Sequence, residues 1–171
     1  MGEADKILTL LTPYYGKLRV LAKGIRWLKS RKAPSLELFS SVIVFVAKGK
    51  HLDIVTEVHL TNGYRRLRQD LERVRYAYQF SELINLMTKE NQAQEEVFEL
   101  LEKALNWLDQ TAKVQGEGLR RFQLALLDQL GFGHPPKRNI ETLESFIESI
   151  IDKKLVAGKN LDLKVGKFKD F

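Results

Sequence analysis

The chain has 171 residues, 44% of them hydrophobic and 29% charged, which is a globular composition rather than a disordered one. It contains no cysteine, which excludes disulfides and thiolate metal sites, and its longest apolar run, 42–47, is far too short to cross a bilayer. The formal net charge of +6 is unevenly spread: residues 1–63 hold ten Lys/Arg and five Asp/Glu, a net of +5, residues 64–118 hold eight and ten, a net of −2, and residues 119–171 hold ten and seven, a net of +3.

A basic end on a near-neutral body favours an anionic partner, nucleic acid or a membrane surface. The start of the chain is polar and acidic and shows no secretory pattern, so the expected setting is the cytosol.

In chain order, Ile7 to Thr12 is a short β-rich run ended by Pro13. Lys17 to Lys23 alternates, with Leu18, Val20 and Ala22 on one side and Lys17, Arg19, Leu21 and Lys23 on the other. Side chains repeat every two residues in a strand, so three cations share a face. Gly24 ends the run, and residues 25–35 read as a basic loop closed by Pro34. The stretch 14–32 collects seven cations, Lys17, Arg19, Lys23, Arg26, Lys29, Arg31 and Lys32, and no acid stands between Asp5 and Glu37. Phe39 to Ala47 is β-branched and aromatic and predicts a strand. Lys48-Gly49-Lys50 reads as a turn. His51 to Leu60 alternates again, which puts Leu52, Ile54, Thr56, Val58 and Leu60 on one face, and Thr61-Asn62-Gly63 marks a boundary.

Beyond Gly63 the period becomes helical. Four apolar stripes follow: Leu67, Leu71, Val74 and Tyr78; Val97, Leu100, Leu101, Ala104, Leu105 and Leu108; Leu119, Phe122, Leu126, Leu127 and Leu130, stopped by Gly131; and Ile140, Leu143, Phe146, Ile147, Ile150 and Ile151. Each predicts an amphipathic helix that needs a partner for its apolar face. The expected class is α+β: an OB-type β-barrel over residues 1–63, then an α-helical domain over residues 64–171. Such barrels commonly bind single-stranded nucleic acid. Only about four strands can be counted, one short of a five-stranded barrel.

Catalytic signals are missing. There is no phosphate-binding glycine motif and no nucleophile elbow. His51, His59 and His134 lack metal-ligand spacing, and Glu95, Glu96, Glu99 and Glu102 read better as a solvated helix face than as acid/base groups. The expectation is a protein that is not an enzyme, with no catalytic residue, metal or cofactor.

The run "GEADKILTLLTPYYGKLRVLAKGIRWLKSRK" resembles the N-terminal domain of the bacterial RecO family of DNA repair and recombination mediators. The matching pattern is Glu3 to Thr12, the Thr12-to-Gly16 turn, Lys17 to Leu21, Ala22-Lys23-Gly24 and the basic loop Ile25 to Lys32. A second run, "GLRRFQLALLDQLGFG" from Gly118 to Gly133, is similar to a family helix carrying Leu-Arg-Arg-Phe and ending in Leu-Gly-aromatic. Two departures stand out. Family members usually begin with an earlier strand, so a first strand is expected to be missing and the barrel open. Many also carry a cysteine-based zinc module where this chain has only "HPPKRN", residues 134–139, so a site of that form is excluded.

The resemblance implies binding and annealing of single-stranded DNA, contact with the C-terminal tail of the single-strand-binding protein, and partnership with a RecR-type protein, together helping a recombinase to load. The expected DNA residues are Lys17, Arg19, Lys23, Arg26, Lys29, Arg31 and Lys32. Tyr14, Tyr15 and Trp27 either stack on bases or pack on the barrel. For the acidic tail the expected contacts are Arg120, Arg121 and Phe122, which combine cations with an apolar surface. Two rival readings are an adaptor that docks the single-strand-binding protein or a RecR-type partner without binding DNA, and an RNA-binding barrel.

Overall fold

Alternation builds the first third of the chain. Lys6–Thr12 (β1) and Gly16–Ala22 (β2) form an antiparallel hairpin, with Lys6 opposite Ala22 and Thr12 opposite Gly16. Ser41–Ala47 (β3) and Asp53–Asn62 (β4) form a second antiparallel pair. The two pairs join through a short parallel contact, Val20 opposite Asp53 and Leu21 opposite Ile54, which gives one sheet in the order β1-β2-β4-β3. This OB-like four-stranded sheet is followed by helices, as the period change at Gly63 predicts. The computed structural model describes residues 2–25, 33–136 and 139–157.

Two strand expectations need correction. Phe39 does not belong to β3: its φ is +63°, and its ring sits edge-on to Tyr78 at 4.9 Å, on the helical side. The inward face of β4 is also not Leu52 to Leu60 by twos. Phe45 lies opposite Glu57 but Val46 opposite Val55, so Thr56 is one residue extra. A bulge of this kind shifts the parity of a strand. Val55 is therefore buried on one side of Thr56, Val58 packs inward on the other, and Thr56 itself is exposed.

Among the described residues five α-helices follow: Arg65–Gln69 (α1), Leu71–Met87 (α2), Glu95–Gln110 (α3), Gly116–Gln129 (α4) and Ile140–Ile151 (α5). The first predicted stripe spans a break. Asp70 is extended, at φ −127° and ψ 118°, and its side chain accepts from Glu72 N and Arg73 N. Asp is a preferred N-cap because it satisfies the orphan donors of a first turn. Residue 71 therefore starts a new helix and Leu71 is exposed, while Leu67, Tyr76, Ala77, Phe80, Leu83 and Ile84 are buried. The other three stripes lie on α3, α4 and α5, with only Leu130 falling one residue past its helix.

The main core lies among the helices. Phe80 stacks on Phe122 with centroids 4.2 Å apart, and Leu108, Leu126, Leu127, Leu143 and Ile147 are fully buried around them. Gly118 allows α3 and α4 to approach, since a Cβ there would lie 2.2 Å from the Trp107 ring. The buried guanidinium of Arg73 ties the start of α2 to the end of α3, donating to the carbonyl of Leu108 and, at 2.8 Å, to that of Thr111. The sheet has a separate, smaller core of Val20, Ala22, Ile25 and Val55, with Leu8, Leu10, Leu18, Leu36, Val44 and Val58 partly buried against it.

Candidate nucleic-acid interface

The β1–β2 hairpin positions the cations, and it sorts them differently from the linear sequence. Arg19 is exposed on β2, opposite Thr9. Lys23 is exposed in the turn that follows β2. Arg26, Lys29, Arg31 and Lys32, together with Trp27, lie outside the described residues.

Lys17 is a correction to the predicted phosphate track. It shares strand parity with Arg19 but is only 8% exposed. Its ammonium donates to Asn85 O at 2.6 Å, Asn85 Oδ1 at 3.1 Å and Thr88 O at 3.0 Å. These acceptors belong to the last turn and C-cap of α2. A cation there satisfies orphan carbonyls and complements the negative end of the helix dipole. Burial pushes the Lys17 pKa down, and Glu90 nearby opposes that shift. Lys17 thus joins the sheet to the helices and is not presented to a partner.

Tyr14 and Tyr15 are 69% and 68% exposed at the tip of the hairpin. Gly16, at φ +65°, lets that tip close against the 89–94 loop, since a Cβ there would lie 1.8 Å from Gln92 O. The tyrosines are adjacent to the cations in sequence, but the length of β2, about 23 Å at the usual strand rise, separates them from Lys23. The fold does not bring these aromatics together with that end of the basic surface.

Three features escaped the sequence reading. Asp5 holds the start of the basic segment: its Oδ1 accepts from Gly24 N at 3.0 Å and its Oδ2 from Gly2 N at 2.7 Å. The Gly24 bond, then the Gly2 bond, holds the Asp5 carboxyl below its usual pKa. The signal was Asp5 as the last acid before an acid-free basic stretch. The parallel β2–β4 contact is the second feature. It sets Asp53 beside Val20, next to Arg19, and so brings in the exposed Lys48 and Lys50 of the preceding turn. Lys48 reaches Asp53 at 3.2 Å but is 94% exposed, and such a pair is worth little. Only the pairing of strands distant in sequence reveals this neighbour. The third feature is Ile25, the first residue of the predicted basic loop, which is buried in the sheet core.

At the other candidate site the structure separates the three residues. Phe122 is 4% exposed and stacked in the helical core, so it offers no surface to a peptide, a second correction. Arg120 and Arg121 both turn to Glu117, Arg120 by two bonds at 2.6 and 2.8 Å and Arg121 by one at 3.0 Å. The Arg120 fork first, and Arg121 second, lower the Glu117 pKa to about 2. Its folded-state value lies below the ordinary carboxylate value, so its contribution to stability is present at neutral pH. That contribution is lost as pH falls through the usual carboxylate range toward 2. The expected result of a carbon-detected NMR titration is a Glu117 carboxyl midpoint near 2, moving up toward the ordinary range in Arg120→Ala. An ordinary midpoint in the unaltered chain would mean that the fork does not form in solution.

Among the described residues no cluster of His, Asp and Glu could hold a metal ion, and no helix is long and apolar enough to cross a membrane.

Comparison with known proteins bears on both halves of the chain. Residues 1–64 match the family model described as Recombination protein O N terminal, and residues 68–142 match Recombination protein O C terminal. Over 131 residues the chain is 40% identical to DNA repair protein RecO of Roseiflexus sp. (strain RS-1), covering 77% of this chain and 46% of that protein. The protein of the same name from Symbiobacterium thermophilum is 37% identical over 130 residues, 76% of this chain and 51% of the relative. That from Dehalococcoides mccartyi is 34% identical over 131 residues, 77% of this chain and 51% of the relative. The chain spans about half the length of the curated relatives it matches.

Proposed function

Because this chain belongs to the RecO family of DNA repair proteins, we propose that its basic N-terminal face binds and anneals single-stranded DNA in recombination. The observation that carries the reading is the exposed pair Arg19 and Lys23 on β2 and its turn, leading into a segment with four further cations. Asp5 fixes the turn from which that segment departs. Phosphate contacts of this kind need only positive charge on a surface, with no covalent step. The same family membership supports partnership with a RecR-type protein and contact with the acidic tail of the single-strand-binding protein. For the tail, Arg121 is the available cation, with a side chain 77% exposed. Any such contact would draw it away from Glu117.

The test is fluorescence anisotropy of a labelled single-stranded oligonucleotide across a salt series. If about four to six cations meet phosphates, log K falls with log salt at a slope of roughly −3 to −4. A folded sample that does not bind at low salt would overturn the reading and favour a role limited to protein contacts. Tighter binding to a matched RNA strand would shift the substrate class.

A further inference from the structure

The outer face of the sheet carries an aromatic ring that the linear sequence keeps far from the cations. The strand registers connect that face from β2 to β3. Arg19 and Leu21 point away from the small sheet core, and Leu21 lies beside Ile54. Beyond the extra residue in β4, Glu57 and His59 continue the same face, opposite Phe45 and Ile43. The other side is the core side, where Val20, Val44, Val55 and Val58 pack together. Phe45 therefore shares a face with Arg19, and it is 51% exposed.

Its neighbours fix the ring in place. The His59 ring stands edge-on to it at 5.9 Å, and His59 Nε2 lies 2.9 Å from the Glu57 carboxylate. Glu57, directly opposite Phe45, is thereby already engaged. The Thr56 hydroxyl donates to the Phe45 carbonyl at 3.1 Å.

Cations flank the ring. Lys23 lies two residues past Leu21, level with Thr56, and so two strand spacings, about 10 Å, from β3. Lys48 follows Phe45 by three residues, about 10 Å along the strand, and its ammonium is open to solvent.

We propose that Phe45 stacks one base of the bound DNA strand, with Lys23 and Lys48 on neighbouring phosphates. The inference rests on the reading of the basic face as a DNA site, and it names the residue there that contacts a base. The surroundings select this occupant. An anionic strand suits the flanking lysines, and its bases supply the flat apolar surface that suits the ring. A duplex keeps its bases stacked and offers none. A second copy of the chain would bring the same positive charge. It would also find only Ile43 and Phe45 as large exposed apolar side chains of this face, whereas a stable interface buries about 800 Å² per partner.

The experiment is anisotropy on the full chain with two labelled ligands, a single-stranded oligonucleotide and a strand of the same length made of abasic sites. The unaltered chain should bind the intact strand about 5- to 100-fold more tightly than the abasic one, the range for one stacked base. Phe45→Ala should remove most of that difference, leave affinity for the abasic strand and the salt slope unchanged, and be rescued by Phe45→Trp. Phe45→Leu keeps apolar bulk at the position and should behave like Phe45→Ala, so a failure of the alanine variant to fold leaves the test in place. Equal affinity of the unaltered chain for the two strands, or a difference that survives both variants, overturns the proposal and leaves the phosphate contacts standing. Binding to neither strand overturns the DNA reading and this inference with it. A mass of two chains by light scattering that falls to one in Phe45→Ala, with DNA affinity unchanged, overturns the inference and assigns the face to a second copy.

Discussion

Lys17→Met should lower the stability of the whole protein by about 2–3 kcal/mol and leave DNA affinity unchanged. The size follows from what the ammonium leaves behind. Three oxygens at the end of α2 lose a charged donor, and hydrogen bonds to charged groups in such surroundings are worth about 1.5–3 kcal/mol each in single-deletion experiments. Methionine keeps the length of the side chain, so little of the loss is packing. Urea unfolding of the variant measures the change through its midpoint at constant slope. The salt series measures the rest. If Lys17 met a phosphate, its removal would flatten the slope by about 0.7. A flattened slope with unchanged stability would return Lys17 to the DNA surface and remove it from the joint between sheet and helices.

Lys23→Glu with Arg26→Glu should weaken single-stranded DNA binding about 10- to 100-fold at low salt and flatten the salt dependence by about 1.4, two phosphate contacts at about 0.7 each. Lys23 is exposed, so a carboxylate there costs the fold little. Placing the second reversal at Arg26 tests whether the segment after Gly24 extends the same track. The control is Arg121→Glu, on α4, which carries a cation of the same kind away from the sheet. Equal weakening by the control would mean that binding responds to net charge alone, and the assignment to β2 and its turn would fall.

The parts of this molecule that were legible in the sequence are those set by short-range period. The switch from alternation to helical stripes near Gly63 placed four strands and the helices that follow. The two motifs, Glu3 to Lys32 and Gly118 to Gly133, carry the family resemblance in sequence alone. What could not be read depends on contacts between distant residues. Lys17 and Arg19 are equivalent in a strand pattern, and only the position of Thr88, 71 residues away, separates a buried strut from an exposed cation. Phe122 follows two arginines in sequence, and although its apolar stripe turned it inward, only the stacking on Phe80, 42 residues away, removes it from the surface the arginines share. Asp70 looks like one polar residue within a stripe, but its carboxylate ends one helix and begins another. Tyr14 and Tyr15 neighbour the basic run in sequence and sit at the opposite end of a strand from Lys23 in space.

The extra residue at Thr56 makes the gene unevenly tolerant of length changes. Across most loops the loss of one codon shortens a connection. Inside a regular strand it turns every side chain beyond the gap to the other face. Here Val55 and Val58 share a face only because Thr56 is extra, so its loss leaves them two positions apart in ordinary alternation, with Glu57 still outward. A frame-preserving deletion at this codon should therefore cost far less than the same deletion at the exposed Arg19, which would put Leu18 and Val20 on opposite faces of β2, and substitution of Thr56 by Ser, which keeps the hydroxyl bonded to the Phe45 carbonyl, should pass unnoticed.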